Sequence, residues 1–335
     1  MPKRGDTWFF DKNIYIRAYA CCVGKKESEG PLSGMFDLFS TDNRFGEKTW
    51  EKAESRMVQL ACNKALFKSG LKNSDIGCLL GGDLLNQCIA TSFAGRALGW
   101  QTLGLYGACS TMAEGLLVGA ALVEAGLEHH PLCCASSHFC SAERQYRFPL
   151  EYGSQRPRTS QWTATAAGAV ILSGDRGDVR ITAATAGRVY DPGVRDTNNM
   201  GAAMAQAAYE TIAAYFRDSG ESPESFDLIV TGDLSLVGKG VAERLLRQDG
   251  IDVSRIYNDC GLMLYHLNTQ DVHSGASGCG CSAAVLCARI LPAIEKGELR
   301  RVLFCGTGAL LSPVSAFQGE SIPGICHLVC LEGQK

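Results

Sequence analysis

The chain has 335 residues, 46% of them hydrophobic and 20% charged, with a formal net charge of −3. That balance excludes extended disorder, the length suits two fused α/β halves, and a mildly acidic chain carries no overall nucleic-acid footprint. Any anion site must therefore rest on a local basic cluster.

Met1 to Ala20 carries Lys3, Arg4, Asp6, Asp11, Lys12 and Arg17 and no apolar core, unlike a secretory leader. The sixteen cysteines are accordingly read as small buried thiols rather than a disulfide framework. Cys21-Cys22 and Cys133-Cys134 are adjacent, and Cys279-Gly280-Cys281 has one intervening residue. None has the spacing of a zinc knuckle, so neither a metal nor a cofactor is expected.

In chain order, a helix ending at Phe67-Lys68-Ser69-Gly70 leads through a polar turn to a buried strand and the turn Gly81-Gly82-Asp83-Leu84. A strand over Thr102 to Tyr106 meets Gly107-Ala108-Cys109-Ser110, which opens a small-residue helix through Ala125 that stops at Gly126. The apolar strand Pro131 to Ala135 follows. Gly115 and Gly119 fall on one face of that helix. Glycine weakens helices, so the pair suggests close approach to another backbone and a buried central position. The stretch Gly115 to Leu127 is the most apolar, but it contains Glu124 and is shorter than the ~20 residues a membrane span needs. A soluble or peripherally attached chain is expected.

The same pattern returns later. Phe216-Arg217-Asp218-Ser219-Gly220 precedes a strand ending in Gly232-Asp233-Leu234, and Gly70 to Asp83 and Gly220 to Asp233 both span 13 residues. Gly275 to Ser282 then opens a helix through Ile294 that stops at Gly297 before the strand Arg301 to Cys305. This is the mark of an internal duplication. It predicts a 1–175 half and a 176–335 half, each rich in βαβ units, stacked as five α-β-α-β-α layers. The boundary falls at the polar turn Gly174 to Asp178.

Three features bear on chemistry. Cys109 stands where a strand passes into a helix, and a helix N-terminus favours thiolate, as acyl transfer requires. The alternative is a small residue filling a tight turn. His138 follows Ala135-Ser136-Ser137 at the carboxyl end of a parallel strand, where ligands gather. His273 precedes the second buried helix. Residues 143 to 158 hold Arg144, Arg147, Arg156 and Arg158 against Glu143 and Glu151, with Tyr146, Phe148, Tyr152 and Trp162 interleaved or close by. Guanidinium grips carboxylate bidentately and stacks on aromatic rings. The loop thus suits a flat aromatic dicarboxylate, the phosphate or adenine of coenzyme A, or simply solvated and interface ion pairs.

Several stretches are similar to one family. Gly82-Asp83-Leu84-Leu85-Asn86-Gln87 resembles its G-D-L-L-N-Q, and Tyr106-Gly107-Ala108-Cys109-Ser110-Thr111 its F-G-A-C-S-T with Tyr for Phe. Ser136-Ser137-His138, Ala142-Glu143-Arg144-Gln145-Tyr146-Arg147-Phe148-Pro149 and Glu151-Tyr152-Gly153 resemble its S-S-H and A-E-R-Q-F-R-Y-P…E-Y-G run. Ser277-Gly278-Cys279-Gly280-Cys281-Ser282-Ala283 and Glu320-Ser321-Ile322-Pro323 match as well. On these grounds the chain resembles the stage V sporulation protein AD (SpoVAD) family of the thiolase superfamily, from about Thr7 to Leu331.

The resemblance implies the thiolase-like fold and a non-catalytic sporulation role: binding dipicolinic acid (pyridine-2,6-dicarboxylic acid), alone or as its calcium chelate, for uptake into the developing spore. It implies other SpoVA proteins at the spore inner membrane as partners, peripheral association with that membrane, and a homodimer. A condensing enzyme's V-P-H-Q-A-N would fall on Val230 to Ser235, putting Gly232 at the histidine and Ser235 at the asparagine, so the site reads as degenerate. The expected ligand site comprises Cys109, Ser137, His138, Arg144, Arg147, Asp233 and Cys279. The alternatives are an acyltransferase or ketoacyl-synthase-like condensing enzyme using Cys109, with His138 or His273 as base, and a scaffold without a small ligand.

Overall fold

The computed structural model describes residues 2–147 and 155–334. Phe148, Pro149, Glu151, Tyr152 and Gly153 of the basic loop and its matching run lie outside them.

Ten strands form two five-stranded blocks of identical plan. The first block holds β1 (Tyr15–Val23), β2 (Cys78–Asp83), β3 (Gln101–Gly104), β4 (Leu132–Ser137) and β5 (Ala166–Ser173), in the order β1-β5-β4-β2-β3. The second holds β6 (Val179–Thr185), β7 (Leu228–Thr231), β8 (Tyr257–Asp259), β9 (Arg301–Ala309) and β10 (Gly324–Gly333), in the order β6-β10-β9-β7-β8. In each block the three far strands are parallel and the two near ones antiparallel. The blocks join where Ile16 and Tyr15 of β1 pair with Val179 and Arg180 of β6.

Helices complete the layers. α1 (Trp50–Ser69) and α2 (Ile89–Leu98) cover the outer face of the first block. α3 (Thr111–Ala125) lies between the blocks, touching β2 and β4 on one side and β9 and β10 on the other. Beside it runs α7 (Cys279–Val285), prolonged by a π-turn over Leu286–Ile290 and the segment Leu291–Glu295. α5 (Met200–Ser219) and α6 (Ser235–Gln248) cover the second block. The fold is therefore α-β-α-β-α, thiolase-like.

The local reasons are the same in both halves. Thr49 accepts a hydrogen bond from Lys52 N at the start of α1, and Asn199 from Ala202 N at the start of α5. Both helices run 20 residues and end on a left-handed glycine, Gly70 (φ 70°) and Gly220 (φ 73°). The strands that follow carry aliphatic runs because both their faces are covered. Met112 and Leu116 of α3 are fully buried in the central core, where truncation to alanine costs about 2–5 kcal/mol.

Ala108–Ala125 is long and apolar enough to cross a membrane, yet 72% of it is buried between the blocks, the mark of a core helix. Gly115 of α3 faces the backbone of β2, with Leu80 O 3.7 Å from where a Cβ would stand, whereas at Gly119 a side chain would meet the side chains of Cys133, Leu172 and Leu80 instead. β3 stops at Gly104, short of Tyr106, and the second buried helix begins only at Cys279.

Candidate functional site

The strand leaving β3 turns into α3 through a single 3₁₀ turn, Ala108–Ser110. Ala108 is held at φ 49°, a left-handed conformation that alanine adopts at a cost of order 1–3 kcal/mol and keeps only where its surroundings enforce it. The enforcement comes from β9. At Gly308 a Cβ would lie 2.3 Å from Gly107 O, so only glycine lets β9 press on the turn. The turn presents Cys109 at the floor of a slot.

The slot is walled by Tyr106, Cys109, Tyr146, Arg147, Ser277 and Leu311, with Glu143, Thr163 and Met200 among its other neighbours. Its cavity volume is about 40 Å³, so it is narrow. Tyr106 and Tyr146 join hydroxyls at 2.9 Å, and Tyr146 also donates to Leu84 O. Arg147 comes from α4 (Phe139–Tyr146) and its C-cap. Its Nη2 donates to Gln161 O at 3.1 Å, while Nη1 stands 3.3 Å from Glu143 Oε1 and makes no hydrogen bond among the described residues. A buried guanidinium nitrogen without an acceptor is a costly arrangement that a carboxylate in the slot would relieve.

Cys109 does not behave as a helix-start thiolate. Burial, and then the carboxyl of Asp233, push its thiol well above the ordinary cysteine range. The helix-terminus effect expected from sequence is overridden, because a 5%-exposed sulfur beside an acid has little to gain from ionising. Ser277 Oγ lies 4.0 Å from Cys109 Sγ and 3.2 Å from Asp233 Oδ2. Asp233 also accepts from Thr307 Oγ1 at 2.8 Å and from Gly278 N at 2.9 Å. Burial raises it to about 7. Its neighbour Asp259, raised to about 6 by burial, accepts from Leu234 N, Ser235 N, Gly261 N and Thr231 Oγ1 and so fixes the turn that carries Asp233.

Of the residues expected from sequence, the structure brings Cys109 and Arg147 together on the slot and sets Asp233 directly behind its floor. The others are placed differently. Arg144 turns its half-exposed guanidinium away to Glu51. His138 is the N-cap of α4: Nδ1 accepts from Cys140 N at 3.1 Å and Nε2 meets Asn43 O at 2.8 Å, while burial lowers its pKa. Both ring nitrogens are occupied, and the residue does not line the slot. Ser137 Oγ donates to Ala164 O and accepts from Gly280 N. Cys279 Sγ donates to Ser136 O. His273 pairs with Asp271 at 3.2 Å and does not line the slot. Arg156 is also bound to Asp271, at 2.7 Å, over the ring of Trp162. Sequence reasoning passed over Ser277 and Thr307; the family-like run at Ser277 was the available signal.

Gly232, which the sequence comparison put at a condensing enzyme's histidine position, directly follows β7. A Cβ there would sit 3.0 Å from Thr307 N and 3.1 Å from Thr307 Oγ1, a tight fit against β9.

A family model for stage V sporulation protein AD (SpoVAD) matches residues 4–332. The chain belongs to the SpoVAD family. It is 43% identical over 326 residues to stage V sporulation protein AD of Bacillus subtilis strain 168, across 97% of this chain and 96% of that relative. Among solved structures it resembles Xanthomonas campestris OleA, with TM-score 0.61 at 17% identity over 97% of this chain and all of that one. It also resembles 3-oxoacyl-acyl-carrier-protein synthase III of Aquifex aeolicus, with TM-score 0.57 at 14% identity over 95% of this chain and 99% of that one. At these identities the structural likeness establishes the thiolase-like fold alone.

Proposed function

We propose that this SpoVAD-family chain is a non-catalytic carrier for a small planar dicarboxylate, dipicolinic acid, taken alone or as its calcium chelate, and that it serves the uptake of this ligand into the developing spore. The observation that carries the reading is the pairing of a narrow, aromatic-walled slot with an Arg147 nitrogen that has no hydrogen-bond partner among the described residues. One ligand carboxylate takes Arg147. The ring lies along Tyr146 and Tyr106. The second carboxylate faces Ser277 and the start of α3, where backbone amides favour anions. Calcium, where present, rides on the ligand's own oxygens; among the described residues there is no cluster of acidic or histidine side chains to hold it.

The carrier works with other SpoVA proteins at the spore inner membrane, docking peripherally. It does so as a homodimer. Supporting the dimer, β3 is an exposed edge strand whose outer side pairs with no other described strand, with the exposed Leu103 within it and the exposed Tyr106 just after it.

Calorimetric titration with dipicolinate, with and without calcium and with terephthalate as control, tests the carrier. Saturable binding that Arg147→Ala weakens by about 10- to 100-fold, the loss of a charge-assisted pair, supports it. No heat at millimolar ligand refutes it. A second reading, acyl transfer through Cys109, is favoured by the thiol's place on the slot floor; stable label on Cys109 after incubation with radiolabelled acyl-coenzyme A would establish it.

A further inference from the structure

Behind the slot floor lies an acid that ligand binding alone does not explain. Asp233 is fully buried. Its partners are two hydroxyls, Thr307 and Ser277, the Gly278 amide and the Cys109 thiol, and none of these is a cation. The titratable groups facing it are Cys109 just before α3, Cys279 and Cys281 on α7, Asp259 at the end of β8 with Cys260 after it, and Cys326 on β10. Across the slot stand Arg147 and Glu143 of α4, with Tyr106 and Tyr146. An anion seated in the slot therefore approaches an acid already crowded by another acid and by thiols.

The geometry contains a relay. With Asp233 ionised, the Ser277 hydroxyl donates to Asp233 Oδ2 at 3.2 Å and offers the slot only lone pairs. With Asp233 protonated, its own O–H can donate to Ser277 Oγ. The Ser277 proton is then released to point into the slot, 4.0 Å from Cys109 Sγ, where an incoming carboxylate would accept it.

We propose that anion binding in this slot is coupled to proton capture by Asp233: the ligand carboxylate seats against Ser277 with Asp233 neutral, and the protein takes up one proton from solvent with each ligand. The inference rests on the carrier reading and adds its regulation. The balance is simple: dianion, ionised Asp233 and one solvent proton give a complex carrying Asp233 as the acid, with no bond to the ligand made or broken. An anion hydrogen-bonded to Ser277 would lie about 6 Å from the Asp233 oxygen. At an effective dielectric of about 20, two charges at that distance weaken binding roughly 100-fold, which neutralising Asp233 removes. Asp233, raised by burial to about 7, is divided between its two forms near neutrality, so the coupling acts in the working range.

The test is calorimetry of the full chain with dipicolinate between pH 6 and 8.5, a range over which the free ligand stays a dianion. Each titration is run in two buffers of different ionisation heat, so that the protons taken up are counted directly. The expected result is a Kd that is flat below about pH 6.5 and rises toward tenfold per pH unit above about pH 7.5, with about one proton taken up at pH 8. Asp233→Asn is expected to flatten the profile and abolish the uptake. Because the proton count comes from the unaltered protein, a variant that fails to fold does not remove the test. Binding with no proton uptake and a Kd independent of pH overturns this proposal and leaves the carrier intact. No binding at any pH overturns both.

Discussion

Substituting Gly232 by alanine tests whether the missing base is enforced by packing. The new methyl would sit 3.0 Å from Thr307 N, 3.1 Å from Thr307 Oγ1 and 3.5 Å from Gly306 Cα, and the nearest contact is backbone of a central strand that cannot swing aside. Overpacking of this kind costs about 1–3 kcal/mol. Thr307 Oγ1 also donates to Asp233 Oδ1 at 2.8 Å and accepts from Asp233 N at 3.0 Å. Pushing it back weakens two buried hydrogen bonds, for about another 1–2 kcal/mol. Gly232→Ala should therefore lose about 2–5 kcal/mol, read as a fall of roughly 1–2 M in the urea midpoint at unchanged slope. Gly232→His should not yield a folded protein with condensing activity. A loss under about 0.5 kcal/mol for the alanine variant would refute the packing argument.

Other outcomes follow from the same geometry. Arg144→Ala should leave dipicolinate affinity unchanged in calorimetry, since that guanidinium is held by Glu51, whereas a loss equal to that of Arg147→Ala would show that the slot is mapped wrongly. Cys109 should resist iodoacetamide at pH 7.5 in peptide mapping, because burial and Asp233 hold the thiol up, and rapid labelling would contradict this. Thermal stability should fall as pH rises from about 5 to 8.5. Burial raises Asp259 to about 6, Asp233 to about 7 and Glu54 to about 8, and stability linked to raised acids is lost as pH climbs through their folded values. A melting temperature that climbs steadily over that range would contradict it.

The duplication was legible because its signals are local. A left-handed glycine ends α1 and α5, an aliphatic strand follows each, and the 13-residue spacing needs no knowledge of distant partners. The slot was less legible for the opposite reason. Arg144 and Arg147 stand three residues apart, and only the position of Glu51 on α1 decides which of them leaves the site. His138 has the address of a ligand, the end of a parallel strand, but caps the helix that starts there. The state of Cys109 depends on an acid 124 residues away, set against it by the stacking of the two halves. Helix-terminus reasoning sees the first turn of α3 and nothing of what packs upon it.

The character of the site follows from this stacking. A condensing enzyme needs its cysteine charged and a base within reach. Here burial and Asp233 hold the thiol well above its ordinary range, a side chain at Gly232 would crowd Thr307, and an acid stands behind the thiol. Those same features suit a carrier. A neutral thiol at the floor does not attack a ligand carboxyl, so nothing delays release. The strained turn at Ala108 persists because it aims the start of a buried helix at the slot, and that aim serves an anion whether or not chemistry follows. In the carrier reading, reversible binding then needs no new architecture, only one proton kept within reach of Ser277.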